Sequence, residues 1–320
     1  MATAVSNKSP FSALVAWYDR NRRDLPWRRP ERARDPYCVW VSEVMLQQTR
    51  VAAAVEYYER FLARFPNVRA LAAAEEDQVL AAWSGLGYYR RARQLWRAAR
   101  EVEARWLGKL PGELAALRRL PGIGRYTAGA ILSIAFQQPA AAVDGNVRRI
   151  FARWLGEELP LARIEALGAG WGRKRPGDFN QALMDLGATV CLPRRPRCAG
   201  CPLRRNCRTR GESRPTRTAA ARREITERYW LGRDHGRVAL VRRSDSSARM
   251  AGMWELPRHR GGGTLAGRVR HSITIWKITA EVYDGGSCAP PDARWLGPRE
   301  RERLPLTGLA KKILRRFADA

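Results

Sequence analysis

The sequence predicts a mostly helical unit, a basic linker and a small α+β unit, in that order. Three observations predict it. Apolar residues recur at helical spacing as far as residue 207, and strand patterns are nearly absent there. A stretch of turn formers and arginines with no apolar period follows. From about Thr226 the pattern changes to alternation, the mark of half-buried strands.

In FSALVAWYDR the apolar residues at 11, 14, 15 and 18 form one helical stripe. Arg34-Asp35-Pro36 opens YCVWVSEVMLQQTRVAAAVEYYERFLARF, which is long enough for two helices, and Pro66-Asn67 breaks it. LAAAEEDQVLAAW is amphipathic and stops at Ser84-Gly85-Leu86-Gly87; YYRRARQLWRAAREVEARW follows, ended by Gly108 and Pro111-Gly112. ELAALRRL, Pro121-Gly122-Ile123-Gly124 and RYTAGAILSIAF read as helix, tight hairpin and helix. TRGESRPTRTAAARRE is a linker. ERYWLGRDHGRVALVRR is two strands around Asp234-His235-Gly236, VRHSITIWKITAEVY has period two, and LTGLAKKILRRF is helical. The expected boundaries are 1–210, 211–226 and 227–320.

Composition then narrows the function. The 320 residues hold 59 Lys+Arg against 31 Asp+Glu, a net charge of +28. With ordinary hydrophobicity, such a balance favours a folded protein whose working surface meets a polyanion. Nucleic acid is the first candidate and an anionic membrane surface the second; free use of Arg by a GC-rich genome is the bland alternative. No run of 18 apolar residues predicts a membrane span, and MATAVSNKSPF lacks the order of a secretory signal. The expected location is cytoplasmic, on the nucleoid.

Four of the six cysteines, Cys191, Cys198, Cys201 and Cys207, fall in a C-x6-C-x2-C-x5-C run. Such a cluster in a chain without a secretory signal reads as a metal site, zinc or iron–sulfur. A zinc ribbon presents two C-x2-C knuckles and this run has one, which favours a 4Fe–4S cluster. Residues 191–223 also contain eleven Arg and a single acid, Glu212, surroundings that suit a dianionic cluster or a phosphate backbone.

The Leu120–Gly124 hairpin joins two helices. Gly122 and Gly124 permit backbone barred to other residues, and the start of the next helix, at Arg125, offers free N–H groups and a positive dipole end to a phosphate. A plain αα-hairpin is the alternative. Two carboxylates stand out by context. Glu43 lies in the apolar run VWVSEVML, where burial would raise its pKa. Asp144 follows AAAV and precedes Gly145-Asn146, so it is placed to cap the next helix.

Taken in register, these motifs resemble the helix-hairpin-helix DNA glycosylases of the endonuclease III superfamily, and within it the adenine-specific MutY branch. The resemblance is carried by Leu25-Pro26-Trp27-Arg28, Val39 through Thr49, Trp83 through Arg93, Leu120–Gly124, Val143 through Val147, Phe179 through Gly187 and the four-Cys loop. It is dense over residues 11–210. It implies a mostly α helix-hairpin-helix glycosylase with an iron–sulfur cluster loop, plus a small α+β Nudix-like C-terminal domain.

The resemblance implies the chemistry as well. Glu43 protonates N7 of a flipped adenine, and Asp144 stabilises the sugar cation or forms a transient adduct, as paired carboxyls do in glycoside hydrolysis. Asn146 holds that carboxylate or the water. Tyr126 stands where bifunctional members carry Lys; a phenol forms no Schiff base, so the enzyme is a monofunctional N-glycosylase using water, with Tyr126 hydrogen-bonding near Asp144. Gln48, Leu86 and Tyr88 fill the gap left by base flipping. Trp27, Arg28 and Asp185 surround the extruded adenine, and Gly122, Gly124 and Arg125 hold phosphate. The implied partner is double-stranded DNA with adenine opposite 8-oxoguanine or guanine, bound by a monomer without a membrane.

The second unit resembles the Nudix-related C-terminal domain of that branch through Val238–Arg243 and Met250–Pro257. The segment RHRGGGTLAGRVRH after Pro257 has no acid to hold magnesium, so lesion recognition is expected and nucleotide hydrolysis is not. There is one departure. Ile273, Thr274 and Ile275 stand where the family carries Phe-Ser-His; Thr274 keeps a hydroxyl, but the aromatic and the imidazole are lost. This predicts weaker preference for 8-oxoguanine over guanine. The competing readings are a pyrimidine glycosylase/lyase of endonuclease III type, opposed by Tyr126, and a non-catalytic mismatch binder, opposed by Glu43 and Asp144.

Overall fold

The structure is a computed structural model; it describes residues 10–210, 223–244, 246–247, 249–273, 275–286 and 289–318. The helices, in chain order, are α1 (Phe11–Asn21), α2 (Pro36–Leu46), α3 (Val51–Arg64), α4 (Val68–Ala72), α5 (Glu76–Trp83), α6 (Arg90–Trp106), α7 (Leu114–Arg119), α8 (Arg125–Ile134), α9 (Gly145–Leu155), α10 (Leu161–Trp171) and α11 (Pro176–Thr189). The strands are β1 (Arg223–Asp234), β2 (Arg237–Arg242), β3 (Trp254–Glu255), β4 (Thr264–Ile273), β5 (Trp276–Gly286) and β6 (Arg294–Leu296), followed by α12 (Pro298–Glu302) and α13 (Gly308–Phe317). None of the described helices is long and apolar enough to cross a membrane.

The chain forms two compact units, and their division is not linear. Among the described residues, the first comprises 10–73 and 94–210; the second takes 74–93 together with those from 223 onward. This departs from the expected division, because α5 and the turn after it belong with the sheet. Arg223–Thr226, expected as linker, are the first residues of β1, because they pair with Trp276–Thr279 of β5. The linker residues 211–222 lie outside the described residues.

In the first unit α11 packs against α1, α8 and α9, and α2 packs against α3 and α8. The stripe read in FSALVAWYDR buries Leu14, Val15 and Tyr18 against Ile150, Phe151, Phe179 and Leu183. Each fully buried side chain of this size contributes ~1.5–3 kcal/mol relative to exposure. Gly187 shows how closely α11 and α9 approach: a Cβ there would lie 2.7 Å from Asn146 Cβ. Any larger residue would push Asn146 aside.

The second unit is built on a mixed sheet in the order β3-β2-β1-β5-β4, with β6 paired to β2. The alternation of VRHSITIWKITAEVY proves to span two antiparallel strands, β4 and β5, with Ile273 opposite Trp276. β1 and β5 run parallel. The apolar face of α13, Leu309, Ala310, Ile313 and Leu314, joins the sheet core of Tyr229, Leu231, Val269, Ile278 and Val282.

Candidate active site

A cavity of about 420 Å³ opens in the first unit, within the range of small-ligand sites. Of the residues singled out from sequence, Trp27, Arg28, Glu43, Tyr126, Asp144 and Asn146 all line it. They arrive from four places: the turn Pro26–Arg28, α2, the first turn of α8 and the N-terminus of α9.

α2 brings Glu43 into the core. Asp35 accepts from the Cys38 N–H at 2.7 Å and Pro36 takes the first helical position, so the helix start is specified twice. Every residue from Tyr37 to Met45 is buried, as expected for a helix apolar on all sides. Glu43 is only 4% exposed. Burial pushes its carboxyl up to about 7; the Tyr126 hydrogen bond lowers it, the Asp144 charge raises it and Arg28 lowers it. A carboxyl in that state holds a proton near neutral pH and can deliver it.

Tyr126 donates its hydroxyl to Glu43 Oε2 at 2.7 Å, with Met184 Sδ 3.9 Å away. The hydrogen bond expected near Asp144 therefore goes to the acid instead. The reason is positional: Tyr126 lies on α8, which packs directly on α2. Burial first, then the Glu43 charge, holds the phenol well above its ordinary range, so it remains a donor.

Asp144 is the helix cap that its context predicted. It is the N-cap of α9, with Oδ1 accepting from the Val147 N–H at 2.8 Å, while Oδ2 accepts from Asn146 Nδ2 at 2.9 Å. Asn146 is held in turn by Arg149, which donates to its Oδ1 at 2.8 Å and to the carbonyls of Gly187 and Cys191 at 3.0 Å. The carboxylate is thus oriented by two donors and borders the cavity.

Asp185 does not line the cavity. It is 1% exposed and grips Arg28, through Nη1 at 2.7 Å and Nη2 at 3.0 Å, and Arg23, through Nε at 2.8 Å. It acts behind the wall, and the two arginines it anchors face the cavity. Arg28 Nε is buried and unpartnered. Trp27 meets the Tyr58 ring edge-on with centroids 5.4 Å apart. Sequence reasoning assigned no role to Arg23, Ser42, Thr49, Gln181 and Met184, which also line the cavity; the last four lie inside the runs Val39 through Thr49 and Phe179 through Gly187 that carry the resemblance, whereas nothing in the basic loop marks Arg23.

Gln48 is exposed, has a φ of 57° and is not among the lining residues. In the hairpin, Gly122 has a φ of 77°, and a Cβ there would lie 2.8 Å from Gln94 Cβ, so both conformation and space demand glycine. Gly124 is extended and no side chain caps α8. Arg125 forms an exposed pair with Glu165 at 2.6 Å. Leu86 and Tyr88 lie in the second unit, Leu86 buried and Tyr88 41% exposed. Thr274 lies outside the described residues.

The cysteine loop packs on the core of the first unit through Cys191, Cys201 and Cys207. Arg153 ties it to α9, donating to the carbonyls of Leu192 at 2.6 Å and Pro193 at 2.8 Å. Burial raises the Cys198 and Cys201 thiols, and the charges of the neighbouring cysteines add to this at both, so the four sulfurs share one neighbourhood. Among the described residues no three His, Cys, Asp or Glu side chains are already grouped to hold a metal ion. The donor chemistry fits a 4Fe–4S cluster: four thiols, with cationic Arg153 3.5 Å from Cys191 Sγ.

A family model described as HhH-GPD superfamily base excision DNA repair protein matches residues 41–163. The adenine DNA glycosylase of Mus musculus is 36% identical, across 96% of this chain and 78% of its own. The adenine DNA glycosylase of Homo sapiens is 33% identical, across 95% of this chain and 73% of its own. Among solved structures, a thermostable thymine-DNA glycosylase is similar with a TM-score of 0.56 at 30% identity, over 62% of this chain and 94% of that one. Fold, cavity and relatives agree: this chain belongs to the adenine DNA glycosylase family of the HhH-GPD base excision DNA repair superfamily.

Proposed function

We propose that the cavity receives an adenine flipped out of double-stranded DNA and that Glu43 and Asp144 divide its release. Glu43 passes its proton to N7 as the bond from N9 to the sugar breaks, and the base leaves with the bonding electrons. The Asp144 carboxylate, oriented by Val147 and Asn146, faces the positive charge developing on the sugar. Water completes the displacement and returns a proton to the Glu43 carboxylate. Tyr126 keeps the acid oriented. With no lysine at that position, the enzyme acts as a monofunctional glycosylase, and borohydride should trap no covalent adduct.

One observation carries the reading: a buried carboxyl poised near 7 and an oriented carboxylate border the same cavity. We infer that the orphan base is 8-oxoguanine or guanine, that Gln48, Leu86 and Tyr88 support the opened stack, and that Gly122, Gly124 and Arg125 hold backbone phosphate as a monomer binds. Cys191, Cys198, Cys201 and Cys207 would hold the cluster. When bound, it cross-links the loop as a structural element.

The test is single-turnover adenine release from duplexes with each base opposite adenine. Release opposite 8-oxoguanine and guanine only is expected, with a smaller gap between the two than a Phe-Ser-His relative shows. Asp144→Asn keeps a good helix cap, so it should retain duplex binding while losing roughly 10²–10³-fold or more in rate. Undiminished release by this variant would end the assignment.

A further inference from the structure

Within the second unit, residues 84–89 form a turn between α5 and α6 whose shape is held from inside. The Gly87 carbonyl accepts from Trp83 Nε1 at 3.0 Å and from Arg91 Nη2 at 3.1 Å. The Gly85 N–H donates to the Tyr89 hydroxyl at 3.1 Å. Arg91, itself 8% exposed, lies over the rings of Trp83 and Tyr88, 5.4 and 5.3 Å from their centroids. At the tip, Tyr88 remains 41% exposed with a φ of 50°. A bulky residue occupies that left-handed region only where its surroundings enforce it. The turn is therefore a preformed mount for one exposed aromatic ring.

The mount is fastened to the sheet domain at both ends. Ser84, 4% exposed, donates its hydroxyl to the Leu306 carbonyl at 2.7 Å. Lys311 Nζ donates to the Ser84 carbonyl at 3.2 Å. Arg93 Nη2 donates to the Ala251 carbonyl at 2.5 Å. Leu306 is a firm attachment point. It bridges Trp254 of β3, and Pro305 and Thr307 on either side both hydrogen-bond the Trp254 backbone at 2.9 Å. Thr307 then caps α13 by accepting from the Ala310 N–H. These fastenings explain why 74–93 clusters with the sheet although α6 carries the chain on into the helical unit.

We propose that Ser84, with Lys311, is a positioning residue for Tyr88, so that the sheet domain acts on the mispair by fixing an aromatic wedge. The proposal rests on the reading above, in which this turn enters opened DNA. It gives the sheet domain a route to mispair affinity that does not use residues 273–275, where the aromatic and imidazole groups are replaced. The physical ground is preorganisation. A turn fastened before binding pays no ordering entropy when the stack opens, and the benefit appears in affinity and not in bond cleavage.

The test uses the full chain and a duplex in which a non-cleavable adenine analogue faces 8-oxoguanine, with 2-aminopurine beside the lesion as a stacking reporter. Ser84→Ala should weaken binding about tenfold, as expected for a lost buried hydrogen bond, while the single-turnover rate at saturating enzyme stays within about twofold. Reporter fluorescence should shift in the direction that Tyr88→Ala shifts it. Ser84→Thr, which keeps the hydroxyl, should restore both readouts, and Lys311→Met should move both the same way. Lys311→Met and Ser84→Thr carry the test if Ser84→Ala fails to fold. If Tyr88→Ala changes affinity and fluorescence but Ser84→Ala and Lys311→Met do not, the fastening proposal is wrong and the DNA-entering reading stands. If Tyr88→Ala changes neither, that reading fails first.

Discussion

Glu43→Gln separates the cost of the acid from its use. The wild-type carboxyl sits at about 7 against an ordinary value of 4.5, and desolvation is the largest cause. Because the folded value is raised, the folded state holds a proton that the unfolded chain releases between those two values. The sign follows: no penalty exists below 4.5, stability falls as pH rises from there to about 7, and the loss is complete above. At ~1.4 kcal/mol per pH unit the full penalty is on the order of 3 kcal/mol. Glutamine matches the shape, can still accept from the Tyr126 hydroxyl, and removes the ionisation. The variant should melt with the wild type near pH 4.5 and above it at pH 8. A gain of roughly 5–10 °C is expected for a unit of this size. Paired thermal melts across pH 4.5–8, with adenine release measured on the same samples, decide the matter. Release should be lost at every pH while the melting difference grows. A melting difference that is flat with pH would refute the burial argument, and normal release by the variant would refute the acid's role.

Other outcomes follow from the same geometry. Tyr126→Phe removes a hydrogen bond that favours the charged carboxylate, so the Glu43 value should rise. The alkaline fall of the single-turnover rate should then move up by about one pH unit, read from a pH–rate profile. Replacing Cys198 or Cys201 by Ser should abolish bound iron, measured per chain, and lower the melting temperature of the helical unit; zinc found in place of iron would overturn the cluster assignment.

Much of this site is legible in the chain itself. The apolar run around Glu43 already states that a carboxyl is carried into a dry place, because a helix apolar on every side has no solvent face to offer it. Asp144-Gly145-Asn146 states a helix cap, and caps are local hydrogen bonds within three residues. The cysteine spacing and the Gly122 turn are local in the same way. What the chain leaves unstated depends on contacts between residues far apart in sequence. Whether Tyr126 bonds Glu43 or Asp144 depends on how α8 lies on α2. Whether Asp185 faces the cavity or grips Arg23 and Arg28 depends on a meeting across more than 150 residues. The fastening of residues 74–93 to the sheet domain includes Ser84 meeting the Leu306 carbonyl, 222 positions away, and Arg93 meeting the Ala251 carbonyl. Local pattern, set by helix period and capping, determined the elements and the residue types that line the cavity. Only the packed structure decided which carboxylate holds the phenol, which arginines form the wall and which unit holds the turn that carries Tyr88, because side-chain pairing at that range is settled by how helices and strands stack and not by anything their neighbours in sequence encode.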